Sequence, residues 1–173
     1  WADAVGVLMS SFFVGDVPFP EYQKTIPYFD FSKIRPEGAM IAGQFKAPGP
    51  KPLELSLNAI TKVIEARIAM PDFGKGTFAN RLRPIDCYDI LMHIADAVLA
   101  GGVRRSATLC LFTHTNEEML NAKIGDWYIT NPQRSRSNNS AALLKGAITP
   151  TEFSRIIKST KEFGEPGFVW LND

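Results

Sequence analysis

Cysteine is scarce in this chain: only Cys87 and Cys110 occur in 173 residues. Two are too few for a disulfide framework, and their spacing is not that of a zinc site. A reducing, cytoplasmic setting is therefore the expectation. Charge of one sign is also missing. Nineteen Lys and Arg stand against eighteen Asp and Glu, a formal net charge of +1. Such a balance gives no long-range pull toward nucleic acid or an anionic membrane, so neither is an expected partner. Any affinity for phosphate has to come from local clusters. No apolar run approaches the length of a membrane span. Neither the Walker lysine loop nor the dinucleotide fingerprint is present. No Ser-His-Asp arrangement can be argued from residue order. His93 and His114 lack partners at metal spacing and read as structural residues, so no metal site is expected.

What is present is an alternation of helical and strand-like segments. Hydrophobic residues make up 45% and charged residues 21%, ordinary for a globular domain. Trp1, Val5, Leu8 and Phe12 repeat at helical spacing. Tyr28–Ile34 reads as a short strand. From Glu37 to Pro52, three Gly and three Pro mark a loop. Leu53, Leu57, Ile60 and Ile64 then form a helical stripe. Residues 69–84 read as an insertion loop. Asp86 is the expected N-cap of a helix carrying Ile90, Leu91, Ile94 and Val98, closed by Gly101-Gly102. Val103–Phe112 reads as a mostly buried strand, and Asn139–Leu144 as another. Capping boxes stand at Thr115–Glu118 and Thr149–Glu152. The last helix carries Phe153, Ile156, Ile157 and Phe163, and a strand-like run follows Gly167. Strands alternating with helices in the second half imply an α/β fold with a parallel sheet.

Two polar segments begin at strand-like runs, and ordering them is costly unless they bind something. Arg104 and Arg105 follow the Gly pair, and arginine is a bidentate phosphate binder. Residues 131–140 contain two Arg, three Asn, three Ser and one Gln. Such side chains can bond base edges and ribose hydroxyls. Their expected place is a sheet mouth, where α/β ligand sites concentrate. A third segment, Gly43–Pro50, could cradle a nucleotide. Cys110 reads as a small buried hydrophobe. Cys87 lies near a helix N-terminus, which can lower a thiol pKa, though an inert thiol remains the reading.

Several motifs in order carry a resemblance. They are Ile34-Arg35-Pro36-Glu37-Gly38-Ala39, Gly49-Pro50-Lys51-Pro52-Leu53, Ala100-Gly101-Gly102-Val103-Arg104-Arg105-Ser106-Ala107, Ser137-Asn138-Asn139-Ser140 and Gly164-Glu165-Pro166-Gly167-Phe168-Val169. Together they resemble the adenosylcobalamin-dependent (class II) ribonucleotide reductases, above all the monomeric ribonucleoside-triphosphate type, from about Ser32 onward. Val14–Tyr28 and Ala69–Asn80 match nothing in that pattern.

The resemblance implies part of a ten-stranded α/β barrel, with residues 1–173 as a single partial domain. It implies an enzyme that reduces ribonucleotides through a thiyl radical generated by adenosylcobalamin, a cofactor of the full-length parent rather than of this piece. A ribonucleotide substrate and a deoxynucleotide effector are the implied partners. Gly43–Pro50, with Gln44 and Lys46, resembles a first specificity loop. Gln133–Asn139 resembles a second, with Gln133, Arg134, Arg136, Asn138 and Asn139 as contacts. Gly38 and Ala39 resemble backbone positions beside the substrate, and Arg104 and Arg105 a rim. The family's Asn-Pro-Cys-x-Glu radical motif is absent from this sequence. Cys87 and Cys110 match neither redox position, so no catalytic residue is assigned. The abrupt ends, Trp1 and a closing strand-like run, fit an internal fragment, inactive alone and prone to self-association. The alternative is a stand-alone nucleotide-binding module without catalytic activity.

Overall fold

Prolines open several of the helices, where a missing N–H costs nothing because that donor has no intrahelical acceptor. The computed structural model describes residues 1–75, 80–100 and 106–172. In chain order, α1 spans Ala2–Phe12 and a short 3-10 turn spans Pro20–Tyr22. Strands β1 (Met40–Ile41) and β2 (Phe45–Lys46) come next, then α2 (Lys51–Ile68) and α3 (Pro84–Leu99). They are followed by β3 (Thr108–Thr113), α4 (Glu117–Leu120), α5 (Trp127–Thr130) and a 3-10 turn at Pro132–Arg136. The chain closes with β4 (Ser137–Leu144), α6 (Pro150–Phe163) and β5 (Gly167–Leu171). These form two compact units, Trp1–Leu82 with His93–Arg105, and Arg83–Met92 with Ser106–Asp173.

In the first unit, α2 buries Leu53, Leu57, Ile60 and Ile64 as its stripe predicts. The expected loop at 37–52 contains a hairpin instead. β1 pairs antiparallel with β2, Met40 opposite Lys46 and Ile41 opposite Phe45. Its tip places Ala42 and Gly43 at φ of 50° and 74°. Gly43 takes this left-handed conformation freely, whereas Ala42 takes it under strain. The hairpin extends as the Gly38 N–H donates to the Ala47 carbonyl at 2.9 Å and the Ala47 N–H to the Ala39 carbonyl at 2.7 Å. The strand expected at 28–34 does not form. The Asp30 carboxylate instead accepts the Ser32 N–H at 2.9 Å, an Asx-type turn that interrupts an extended run.

The second unit is a three-stranded sheet in the order β3-β4-β5. Both pairings are parallel, with Leu109 opposite Asn138 and Ala141 opposite Phe168. One core joins sheet and helices: Ile85, Tyr88 and Met92 of α3, Met119 and Leu120 of α4, Ile156 of α6, and Phe112, Ala141 and Leu143. The α/β class and the parallel sheet are as expected, with β4 starting at Ser137, two residues earlier than predicted. β3 departs from expectation. It is not mostly buried: Leu109 is 61% and Leu111 53% exposed. The helices cover one face of the sheet, so β3 alternates as a half-covered strand does. α3 buries Ile90 as expected but turns its neighbour outward. Leu91 is 57% exposed, because Tyr88 and Met92 fill the core in its place.

The helix ends follow their sequence signals with shifts. Asp86 is not the N-cap of α3. Its carboxylate reaches back to the Arg83 N–H at 2.8 Å, the role of the acidic residue three positions inside a capping box. At α4 the cap is Asn116, whose side chain accepts the Met119 N–H. At α6 the Thr149–Glu152 box is complete, and Gly164 closes the helix in the left-handed conformation. The closure expected at Gly101-Gly102 lies outside the described residues.

Two tests follow from this geometry. Gly49 sits at φ +74°, and a Cβ there would lie 2.9 Å from the Glu37 backbone nitrogen. Gly49→Ala is therefore expected to cost at least ~1–2 kcal/mol, read as a fall in the urea unfolding midpoint. The Glu152 carboxyl is held below its ordinary value of 4.5, first by the Thr149 hydroxyl and then by the Thr149 N–H. A carboxyl depressed in the folded state adds stability above its unfolded value and loses it as pH falls through the folded one. Circular dichroism melts from neutral pH to below 4.5 should show α6 losing this support in the wild type. Glu152→Gln should lack that component of the pH dependence.

Candidate functional site

Within the first unit the hairpin forms one wall of a cleft of about 670 Å³. The opposite wall comes from α2 and the second half of α3. Glu37, Gly38, Lys46, Pro48, Lys51, Ser56, His93 and Asp96 line it. Two expected site residues, Gly38 and Lys46, thus meet on one surface. Ala39 and Gln44 do not line it. Ala39 spends its carbonyl on the Ala47 N–H, and Gln44 is exposed just past the hairpin turn.

Five polar lining side chains, Glu37, Lys51, Ser56, His93 and Asp96, escaped the sequence reading. Ser56 bridges the helices, its hydroxyl donating to the His93 carbonyl at 3.0 Å. His93, read as structural, lines the cleft with Asp96 one helical turn on. Lys51 pairs with Glu54 at 3.0 Å on the exposed side. The spacing of His93 and Asp96 at i, i+3 on one helix face was the available signal. The cleft thus brings two ammonium groups, two carboxylates and a hydroxyl around a partly apolar floor. Lys46 and Lys51 can meet phosphate charge, while Ser56 and the carboxylates can meet hydroxyl or amino groups.

In the second unit, the polar segment 131–139 divides into residues facing in and residues facing out. Gln133 is buried, and its amide donates to Asp89 Oδ1 at 3.0 Å. Arg134 grips the same carboxylate in a bidentate pair, Nε to Oδ1 at 2.8 Å and Nη2 to Oδ2 at 2.6 Å. Its Nη1 donates to the Ala122 carbonyl at 2.7 Å. Asn139 is buried, its N–H donating to Glu165 Oε2 at 3.2 Å. Arg136 and Asn138 are exposed. The segment precedes and begins β4, so it lies at the amino end of a parallel strand. The rule that ligands gather at carboxyl ends of α/β strands therefore does not support this place. Arg104 and Arg105 lie outside the described residues.

Neither thiol is activated. Desolvation pushes the Cys87 thiol up, and the Asp86 carboxylate adds to it. The helix N-terminus does not win. Desolvation also pushes Cys110 up against a smaller opposing pull from Lys123. Among the described residues no three His, Cys, Asp or Glu side chains gather as a metal site. No buried side-chain polar atom among them lacks a hydrogen-bond partner.

Comparison with known proteins points to one family. Over 173 residues the chain is 33% identical to the adenosylcobalamin-dependent ribonucleoside-triphosphate reductase of Lactobacillus delbrueckii subsp. bulgaricus, covering 99% of this chain and 21% of that protein. The Lactobacillus acidophilus protein of the same name is 35% identical over 151 residues, 87% of this chain and 18% of its own length. A probable member from Dictyostelium discoideum is 26% identical over 178 residues, 100% of this chain and 20% of its own length. The chain thus spans about a fifth of the length of the curated relatives it matches. No family model and no solved structure matches it.

Two outcomes test the site chemistry. Asp89→Ala leaves the Arg134 guanidinium, 13% exposed, without its carboxylate. A cost of about 3–5 kcal/mol is expected in chemical denaturation. Iodoacetamide should alkylate both cysteines more slowly than free glutathione at neutral pH, with rates that climb as pH rises.

Proposed function

We propose that this chain, a relative of one segment of the adenosylcobalamin-dependent ribonucleoside-triphosphate reductases, selects nucleotides for such an enzyme and carries none of its reducing residues. The observation that carries the reading is the match itself, which runs along nearly the whole chain. The cleft at the hairpin supports it, because Gly38 and Lys46, two of the residues read from sequence as nucleotide contacts, line it together. In this reading the hairpin is the first specificity loop. Lys46 and Lys51 meet the phosphates, and the apolar floor between the helices receives the base or sugar. Segment 133–139 is the second loop, with Arg136 and Asn138 as its outward contacts. Gln133, Arg134 and Asn139 hold its shape. Arg104 and Arg105 stay in the proposal as rim contacts.

The reduction chemistry is assigned elsewhere in the parent. Adenosylcobalamin, on which the relatives depend by name, supplies radical initiation when bound. In this reading the cofactor belongs to the full-length parent enzyme. The radical motif is absent from this sequence, and both cysteines are poor thiolates. The exposed leucines of β3 and the uncovered face of the sheet fit a larger barrel. They also fit self-association of this chain in isolation.

Calorimetric titration with deoxynucleoside and ribonucleoside triphosphates tests the reading. Saturable binding is expected, weakened about tenfold by Lys46→Ala, a loss of roughly 1.4 kcal/mol. Arg136→Ala should weaken it less and should change which base is preferred. Binding unaltered by Lys46→Ala would remove the cleft from the proposal. Deoxynucleotide formation by this chain with added adenosylcobalamin and dithiol would overturn the division between selection and reduction.

A further inference from the structure

A buried ammonium group lies behind the second polar segment and is absorbed by none of the roles above. Lys123 is buried, in the turns between α4 and α5. Its Nζ pairs with Glu165 Oε2 at 2.8 Å and donates to the Ser137 carbonyl. It also lies 5.4 Å from the centre of the Trp127 ring. Glu165 Oε2 accepts the Asn139 N–H as well. The Ser137 hydroxyl links the Tyr88 hydroxyl and Asn139 Oδ1, both at 2.8 Å. Three side chains from three places in the sequence, Tyr88, Lys123 and Glu165, converge on two alternate residues of one strand.

The geometry has a definite consequence. Residues 137 and 139 face inward and 138 faces outward, as the period of two demands. Ser137 is held at its carbonyl by Lys123 and at its hydroxyl by Tyr88. Asn139 is held at its N–H by Glu165. Asn138, between them, is exposed with its backbone pinned on both sides, and Arg136 is exposed immediately before. Burying a charged pair stabilises little by itself, and its best-attested use is to fix one arrangement among several. A reader of base edges gains from such rigidity, since a pre-ordered contact loses less entropy on binding.

We infer that Lys123 and Glu165 are positioning residues that clasp the amino end of β4 and fix how Arg136 and Asn138 meet a nucleotide base. The inference rests on the reading of segment 133–139 as a specificity element. Neither residue touches the ligand. They act through the backbone of Ser137 and Asn139.

The test combines deuterium exchange of the full chain with titration of the four deoxynucleoside triphosphates, for wild type and two variants. Glu165→Gln keeps an acceptor oxygen for Lys123 and the Asn139 N–H, whereas Glu165→Leu removes it. In Glu165→Leu the Arg136 and Asn138 amides should exchange about tenfold faster. The affinity ratio between the best- and worst-bound nucleotide should shrink about fivefold. Glu165→Gln should stay within about twofold of wild type in both readouts. If Glu165→Leu does not fold, the pair Lys123→Met with Glu165→Leu removes both charges together and takes its place. A folded leucine variant with unchanged exchange and unchanged nucleotide preference overturns the clasp while the specificity reading stands. A wild type that binds no nucleotide overturns the specificity role together with the reading beneath it.

Discussion

The second unit depends on the polar residues that face inward at the start of its central strand. β4 pairs on both sides, so its register sets that of the sheet. Alternation turns Ser137, Asn139, Ala141 and Leu143 toward the helices. Two of these four are polar, and a polar group buried without a partner costs several hydrogen bonds' worth of stability. A one-residue slip would exchange them for Asn138, Ser140, Ala142 and Leu144 and strand their partners. Tyr88, Lys123 and Glu165 fit Ser137 and Asn139 only in the observed register. The polar cluster thus fixes the sheet as firmly as the apolar core beyond it does.

The same constraint explains why a polar run of ten residues is not ten candidate contacts. Gln133 and Arg134 share one acceptor, Asp89, itself buried on α3. A guanidinium with one edge on a carboxylate and its remaining nitrogen on a carbonyl holds a turn in place. Under the proposed function, ligand chemistry falls to the exposed Arg136 and Asn138. In the first unit, a two-residue strand pair brings Gly38 and Lys46 to one cleft, while Gln44 stays at the tip. In both units the backbone sorts polar residues into frame and contact, and composition alone cannot do so.

The sequence disclosed what periodicity and capping control. The α2 stripe, the parallel pairing of the second half, and the Thr149–Glu152 box with its Gly164 end are all local signals read directly. It misled where tertiary cover decides. A β3 rich in leucine reads as buried, but exposure depends on whether helices lie on both faces. Leu91 is a stronger apolar signal than Tyr88, yet the tyrosine is inside because its hydroxyl has Ser137 to bond. The hairpin at 40–46 was hidden by the glycines and prolines of the surrounding segment 37–52, which mark a loop and a turn equally well. Asp89, Lys123 and Glu165 carry no motif. Their importance arises from contacts between residues 14 to 45 apart in sequence, which no window of the chain displays.

The state of the two thiols bears on the proposed division between selecting and reducing a nucleotide. Disulfide exchange needs a thiolate, and thiolates form near positive charge or at accessible helix ends. Cys110 has the nearest approach to such help, since Lys123 pulls its value down. Lys123 is already committed to Glu165 and the Ser137 carbonyl, so its charge is largely compensated and burial of the sulfur prevails. Cys87 has a helix end beside it, but desolvation, with the Asp86 carboxylate in the same turn adding to it, pushes the thiol up. The groups that could have activated a thiol are spent on holding helix and strand ends in register. A segment organised this way is suited to present fixed polar contacts, and poorly suited to cycle electrons through sulfur.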